Sequence, residues 1–267
     1  MKFSIITPSY NQVEFIPETI ESILTQKGNF KIEYFVMDGG STDGTVKVLK
    51  NYEKKIKAGK FEKYNKGIKF CYVSEKDKGQ SDAINKGLKK TTGDIIAYLN
   101  SDDTYQPEAF RKVTEAFRKN KAAKWLTGFC RIIDEKGQTI QGPITKYKNF
   151  WLKRFKARNL MILNFISQPA TFWRQELMRE IGCFDEKLHF TMDYDYWLRA
   201  LKISKPIVIK DFLSNFRIHS SSKGKVDFIK QFEQDLATCK KHTDRKTLIY
   251  LHKLHNSLIK SAYRVIK

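Results

Sequence analysis

Two acidic clusters in this chain have the residue types and spacing to do chemistry. The first is the turn Asn100-Ser101-Asp102-Asp103, directly after the short apolar run at 95–99. Adjacent carboxylates repel unless a positive charge sits between or beside them. Hard oxygen ligands of this kind suit a divalent cation, Mn or Mg, that carries a phosphorylated ligand. The same residues would equally cap the helix that starts near Pro107, because Ser and Asp side chains accept from the free amides of a helix start. The second cluster is Asp193-Tyr194-Asp195, opening a helical stretch over 192–199, where the helix dipole favours negative charge. A third carboxylate-bearing loop opens at Asp38, after the apolar run at 32–37.

The elements that must position these groups are set by periodicity and punctuation. Residues 3–7 (FSIIT) predict a strand broken by Pro8, with a loop at 9–12 and a helix over 13–26. Pro17 sits in the first turn of that helix, where a missing amide proton costs little. Residues 32–37 predict a second strand. The loop at 38–45, rich in Gly, Ser, Thr and Asp, leads into a helix to about residue 57. A lysine-rich solvated excursion over 54–69 precedes a third strand at 70–74. A helix over 81–91, a turn at Gly93 and a buried strand at 95–99 complete four strand–helix alternations. That alternation is the signature of a doubly wound, mostly parallel α/β sheet. Ligands of open α/β sheets bind outside the carboxyl ends of the strands, so Asp38 and the acidic turn fall on one edge. The pair suits a nucleotide whose base and ribose meet the early loops while its diphosphate meets a metal at the acidic turn. Neither GxGxxG nor GxxxxGK[ST] is present, which excludes the dinucleotide and P-loop fingerprints.

Further on, the chain predicts a helix over 107–119, a strand at 125–133 running into a hairpin at Asp134–Gly137, an extended piece at 168–173 and a helix over 175–181. Arg217-Ile218-His219 precedes a flexible loop at 220–223, and residues 227–267 predict one or two basic amphipathic helices. Of 267 residues, 41% are hydrophobic, enough to bury a sizeable core. No apolar window approaches the ~20 residues of a membrane span, and the N-terminus lacks a signal-peptide pattern, so a cytoplasmic chain is expected. Cys71, Cys130, Cys183 and Cys239 form no CxxC pair; buried reduced thiols are expected rather than zinc or disulfides. His252 and His255, three apart with no third ligand nearby, are expected on a solvated helix face.

The excess of 50 Lys+Arg over 29 Asp+Glu, a formal +21, attracts nucleic acid, anionic lipid or phosphorylated ligands without choosing among them. Residues 136–175 contain no acid, and 146–158 interleave bases with aromatics. That composition fits an anionic membrane surface and equally an ordinary solvated basic face.

In order, SIITPSYNQ, FVMDGGSTDGT, EKDKGQSDAINKG, GDIIAYLNSDD and IGCFDEKLHFTMDYDYWLRA resemble the family 2 glycosyltransferases over residues 2–219. The resemblance implies the GT-A fold and inverting transfer from a nucleotide sugar, by family tendency a UDP-sugar, in a domain of residues 1–219. Residues 1–104 would form its nucleotide-binding half and 105–219 its acceptor half, with 220–267 as a basic helical extension. It further implies Thr7, Pro8, Tyr10 and Asn11 in the first nucleotide-contacting loop, and Asp38 as reader of the base. Gln80, Ser81, Asp82 and Asn85 would line the donor side beside Asn100 and Ser101. Asp102 would bind metal at the end of the DxD-type signature, with Asp103 behind it and His219 completing the site. Asn100 stands where many members carry the first Asp. Asp193 would be the catalytic base, leaving Asp195 a structural role. A saccharide or lipid-linked saccharide acceptor in bacterial surface polysaccharide synthesis follows, with the enzyme peripheral on the inner face of the membrane. A nucleotidyltransferase would need a Gly-rich basic loop that 7–12 lacks. A nucleic-acid module would not place acids at a strand end.

Overall fold

The computed structural model describes residues 1–220, 222 and 228–266; Ser221 and Lys223 of the expected 220–223 loop lie outside the described residues. Its sheet begins with the expected parallel set β1 (Lys2–Ser9), β2 (Lys31–Asp38), β3 (Ile68–Ser74) and β4 (Ile95–Tyr98), in the spatial order β3-β2-β1-β4. Crossovers run through α1 (Ile16–Leu24), α2 (Thr45–Lys57) and α3 (Gln80–Leu88). Along β4, Ile95 and Ala97 join the core on one face of the sheet and Ile96 and Tyr98 the core on the other. Burial on both faces is why these strands are continuous apolar runs rather than alternating ones. The expected solvated excursion after α2 is held down: Phe61 is buried, the Tyr64 carbonyl accepts from the Gly28 amide at 3.0 Å, and the Lys66 amide donates to the Phe30 carbonyl at 2.9 Å.

Beyond the acidic turn the sheet becomes mixed. β5 (Thr104–Tyr105), α4 (Ala109–Lys119), β6 (Trp125–Ile133), β7 (Thr139–Ile140), α5 (Gly142–Lys153) and α6 (Ala157–Ile162) follow. Then come β8 (Thr171–Arg174), α7 (Gln175–Ile181), α8 (Met192–Ile203) and β9 (Ile207–Arg217). Strand order continues β4-β8-β6-β9-β5, with β8 antiparallel to both neighbours and β9 parallel to β6. β7 folds back on β6 as the expected hairpin. The piece at 168–173 is not extended throughout: Gln168–Ala170 form a 3-10 turn before β8. Helices α1, α2 and α4 cover one face, while α3, α5, α6, α7 and α8 cover the other. On that second face Trp125 stacks on Trp197 with ring centroids 5.8 Å apart.

Two last helices, α9 (Phe228–His242) and α10 (Lys246–Ile266), dock over α6 and α8. Here the expectation for His252 is corrected. Its side chain is buried, with Nδ1 2.9 Å from the Met161 carbonyl and Nε2 2.9 Å from the Asp235 carboxylate. Burial alone would lower its pKa, but Asp235 and the other partners raise it to about 10, so a charged imidazolium fastens α10 to α9 and α6. An amphipathic pattern marks which positions share a face, not which face another helix will cover. The thiols are also corrected in part: all four cysteines are free, Cys130 and Cys239 are buried, Cys71 is half-buried and Cys183 is exposed.

Candidate active site

The carboxyl ends of the first three strands lie level, Ser9 opposite Asp38 and Asp38 opposite Ser74. β4 ends beside them, on the other flank of β1. The strand order therefore reverses at β1/β4, and a crevice opens there. Asp38 organises its first wall. Its carboxylate accepts from the amides of Ser41 (2.9 Å) and Gly40 (3.2 Å) and from the hydroxyls of Ser41 (2.5 Å) and Ser74 (2.6 Å). Asn11, in the left-handed region at φ 51°, accepts from the Thr42 amide at 2.9 Å and ties the β1 loop to the β2 loop. A Cβ on Gly39 would sit 2.8 Å from the Asp77 carboxylate, so a glycine lets the loops after β2 and β3 approach. Tyr10 is 62% exposed at the rim. Ser9 Oγ and Gln12 Oε1 are buried in the same loop without a hydrogen-bond partner.

The acidic turn forms the floor. Gln80 donates to Asn100 Oδ1 at 2.7 Å, and Asn100 donates to Asp103 Oδ2 at 3.1 Å. Asp103 is fully buried and accepts from the Arg217 amide at 2.9 Å. Burial, then the neighbouring Asp102 charge, push its carboxyl well above the usual range, against the pull of Arg217 and Asn100. The buried Arg217 side chain donates to the carbonyls of Asp102 (2.9 Å), Asp134 (3.0 Å) and Glu135 (3.0 Å) and pairs with Glu18. Two residues on, His219 Nε2 lies 3.0 Å from Asp102 Oδ2. One end of β9 thus supplies both the clamp on the turn and a second donor beside Asp102.

The far wall is the start of α8. Ser81 Oγ lies 2.7 Å from Met192 Sδ, which joins α3 to α8 just before Asp193. Asp193 is partly buried and its pKa is pushed up to about 6 by burial, with Asp235 adding to the rise. The Tyr194 amide, 2.7 Å away, and Lys148 on α5 oppose it. Burial lowers the pKa of Lys148, and the charge of Asp193 acts back on it. Tyr98, at the end of β4, has its hydroxyl raised by burial and further by both Asp193 and Asp103. Asp195 differs. It is fully buried against Arg199 (2.9 Å), Lys241 (2.9 Å) and His242 (2.8 Å). Burial opposes its ionisation, yet these partners hold it well below the usual carboxylate range.

Residues 4–182 match the family Glycosyl transferase family 2. The chain belongs to that family. It is similar to a glycosyltransferase of Rickettsia typhi, 27% identical over 82% of this chain and 64% of the relative, which is therefore longer. A glycosyltransferase of Mycobacterium tuberculosis is 28% identical over 80% and 74% of the two chains. A putative teichuronic acid biosynthesis glycosyltransferase of Bacillus subtilis is 33% identical over 47% and 46%. Among solved structures, S. aureus TarS with UDP-GlcNAc superposes with TM-score 0.62 at 19% identity, over 89% of this chain and 65% of that one. The Pyrobaculum calidifontis mannosyltransferase with GDP-Man and Mn2+ gives 0.68 at 15%, over 95% and 69%. The fold of this family 2 chain is the GT-A fold of those enzymes.

Among the described residues no three His, Cys, Asp or Glu side chains converge on one point. A small divalent cation held by one or two protein groups plus substrate phosphates does not need three. Neighbouring ligands of an octahedral ion with bonds of about 2.1 Å lie about 3 Å apart, and Asp102 Oδ2 and His219 Nε2 are 3.0 Å apart. This donor pair fits Mn or Mg.

The structure brings Tyr10, Asn11, Asp38, Gln80, Asn100, Asp102, His219 and Asp193 to one edge. It sets others in supporting positions. Thr7 is buried and accepts from the Tyr34 hydroxyl at 3.0 Å, Pro8 and Ser101 are buried, and Asn85 brackets the Phe184 backbone with two 2.9 Å hydrogen bonds. Asp82 accepts from the Lys78 amide and pairs with Lys86 at 3.2 Å. Sequence reasoning missed Arg217, Tyr98 and Lys148. Arg217 lies only two residues before His219; nothing in the spacing of Lys148 distinguishes it from the lysines around it.

Proposed function

We propose that this chain is an inverting glycosyltransferase. It moves a sugar from a nucleotide sugar to a hydroxyl of a glycan or lipid-linked acceptor, with Mn or Mg held by Asp102 and His219. The observation that carries this reading is the metal-type donor pair Asp102 and His219 together with a carboxylate of pKa about 6 at the start of α8, which α3 joins to the acidic turn through the Ser81–Met192 and Gln80–Asn100 contacts. Asp38 and Tyr10, with the unpartnered Ser9 and Gln12 oxygens, receive the nucleoside. Inversion needs a base on the side of the sugar opposite the leaving diphosphate. Asp193, across the crevice from Asp102, takes the proton of the acceptor hydroxyl as that oxygen attacks C1, and a pKa near 6 leaves it ionised yet basic at neutral pH. Lys148 keeps Asp193 from rising further. The metal, when bound, neutralises charge on the departing diphosphate as a Lewis acid. TarS was solved with UDP-GlcNAc and the mannosyltransferase with GDP-Man, in keeping with a nucleotide-sugar donor, for which a UDP-sugar is the family tendency, and the teichuronic acid relative supports surface polysaccharide synthesis; a lipid-linked acceptor would put that work at the inner face of the membrane.

The test is nucleoside diphosphate release from a panel of UDP-, GDP- and dTDP-sugars with Mn or Mg. One donor should be turned over, with loss in Asp102→Ala and in Asp193→Asn, while Asp193→Asn still binds donor. Absence of binding to every donor, with and without metal, would overturn the reading.

A further inference from the structure

Large apolar side chains left exposed among the described residues concentrate on two helices. Six of the ten lie there, Tyr147 and Phe150 on α5 and Tyr250, Leu251, Leu254 and Leu258 on α10. At about 100° per residue, the four on α10 fall within one arc of about 100°. The docked side of the same helix, marked by buried His252 and Asn256, points elsewhere. Lys246, Lys253 and Lys260, seven apart, form a row along the border between the two sides. α10 therefore carries one face used by the fold and a second apolar face open to the outside. The two helices join into one surface. The Tyr147 ring lies parallel to His255 with centroids 6.2 Å apart, and its hydroxyl is 3.0 Å from His255 Nε2. Beyond Phe150, whose ring lies 4.2 Å from the Arg154 guanidinium, a groove of about 560 Å³ is lined by Trp151, Phe155, Lys156 and Arg158.

We propose that this α5–α10 face docks on an anionic lipid surface. The apolar arc of α10 sinks to the acyl boundary, while the lysine row and the basic corner after α5 sit at the phosphates. The proposal deepens, and rests on, the reading of a membrane-peripheral enzyme. Charge selects lipid over a second copy of the chain. Neither 136–175 nor 245–267 contains an acidic residue, so two such faces would set like charges together, whereas anionic headgroups neutralise both segments. The placement also serves the reaction, because α5 carries Lys148 beside Asp193 and Tyr147 and Phe150 at the surface. A lipid-borne acceptor would then rise along the helix that borders the base.

The experiment is co-sedimentation of the full chain with phosphatidylcholine vesicles, with and without phosphatidylglycerol. Wild type should bind only the anionic vesicles, more weakly as salt rises. Leu254→Glu with Leu258→Glu should weaken binding by at least about tenfold, given the worth of burying one leucine, with the thermal midpoint and donor hydrolysis unchanged. The proposal is overturned if wild type stays in the supernatant with anionic vesicles, or if the double variant sediments as wild type does. A lipid-free dimer that the double variant splits would also overturn it, by assigning the face to a second copy. If vesicle binding behaves as expected but no donor is turned over, the lipid face stands and the transferase reading falls.

Discussion

The acidic turn and the start of α8 each carry two carboxylates, and each divides them the same way. One member is buried and committed to the fold, Asp103 against the Arg217 amide and Asp195 against Arg199, Lys241 and His242. The other, Asp102 or Asp193, is only partly buried. The electrostatics of the committed pair differ. Asp103 is pushed up by burial and then by the neighbouring Asp102, while the partners of Asp195 outweigh its burial and hold it down. A buried carboxylate can anchor a turn through backbone donors or anchor a helix through ion pairs, and both make stability depend on pH with opposite sign: ionising the raised Asp103 costs stability as pH rises, while the depressed Asp195 contributes stability that is lost as pH falls.

The sharpest way to break the comparison is Asp193→Asn. Turnover should fall about 10²–10⁴-fold, the range of a general base, with the donor Kd held, in single-turnover and binding assays. The same variant should be more stable than wild type at pH 7, by up to roughly 3 kcal/mol. The sign follows from the raised pKa: the folded state binds the proton more tightly, so the cost of ionising Asp193 is present above about pH 6 and absent below the unfolded value of about 3.9. A denaturant midpoint that drops would place Asp193 with Asp195 instead.

Asp102→Asn should reduce turnover roughly 10²–10³-fold, the scale for losing one group that stabilises leaving charge. Chelator should reduce wild type to a similar rate and the variant little further. Asp195→Ala should leave the kinetics of the folded enzyme close to wild type but cost about 3 kcal/mol, as expected for breaking a buried ion pair, read as a denaturant midpoint. Because the Asp195 pKa is depressed, its contribution is present above about pH 3.9 and is lost as pH falls through the folded value; acid unfolding of the variant should be shallower. Smallest is Lys148→Met. Removing a charge that lowers the Asp193 pKa should move the acid limb of the rate profile to higher pH and leave the alkaline plateau nearly unchanged.

What the sequence determined by itself is local. Four apolar runs separated by helical periods and turn residues dictate a parallel sheet, and the acid types at their ends dictate where a metal and a nucleotide could meet. The five motif blocks likewise pointed to the carboxylates on either side of the crevice. Tertiary structure supplied the partners that hold Asp103 and Asp195 in the fold. The partner of Asp103 is 114 residues away at Arg217, and His242 is 47 residues from Asp195. It also brought Thr7 to the Tyr34 hydroxyl and Asn85 to the Phe184 backbone, made His252 an internal ion-pair partner, and set Lys148 where its charge lowers the Asp193 pKa. A side chain's charge state depends on burial and on neighbours within a few ångströms, and those are brought together by packing across the chain, which no local period encodes.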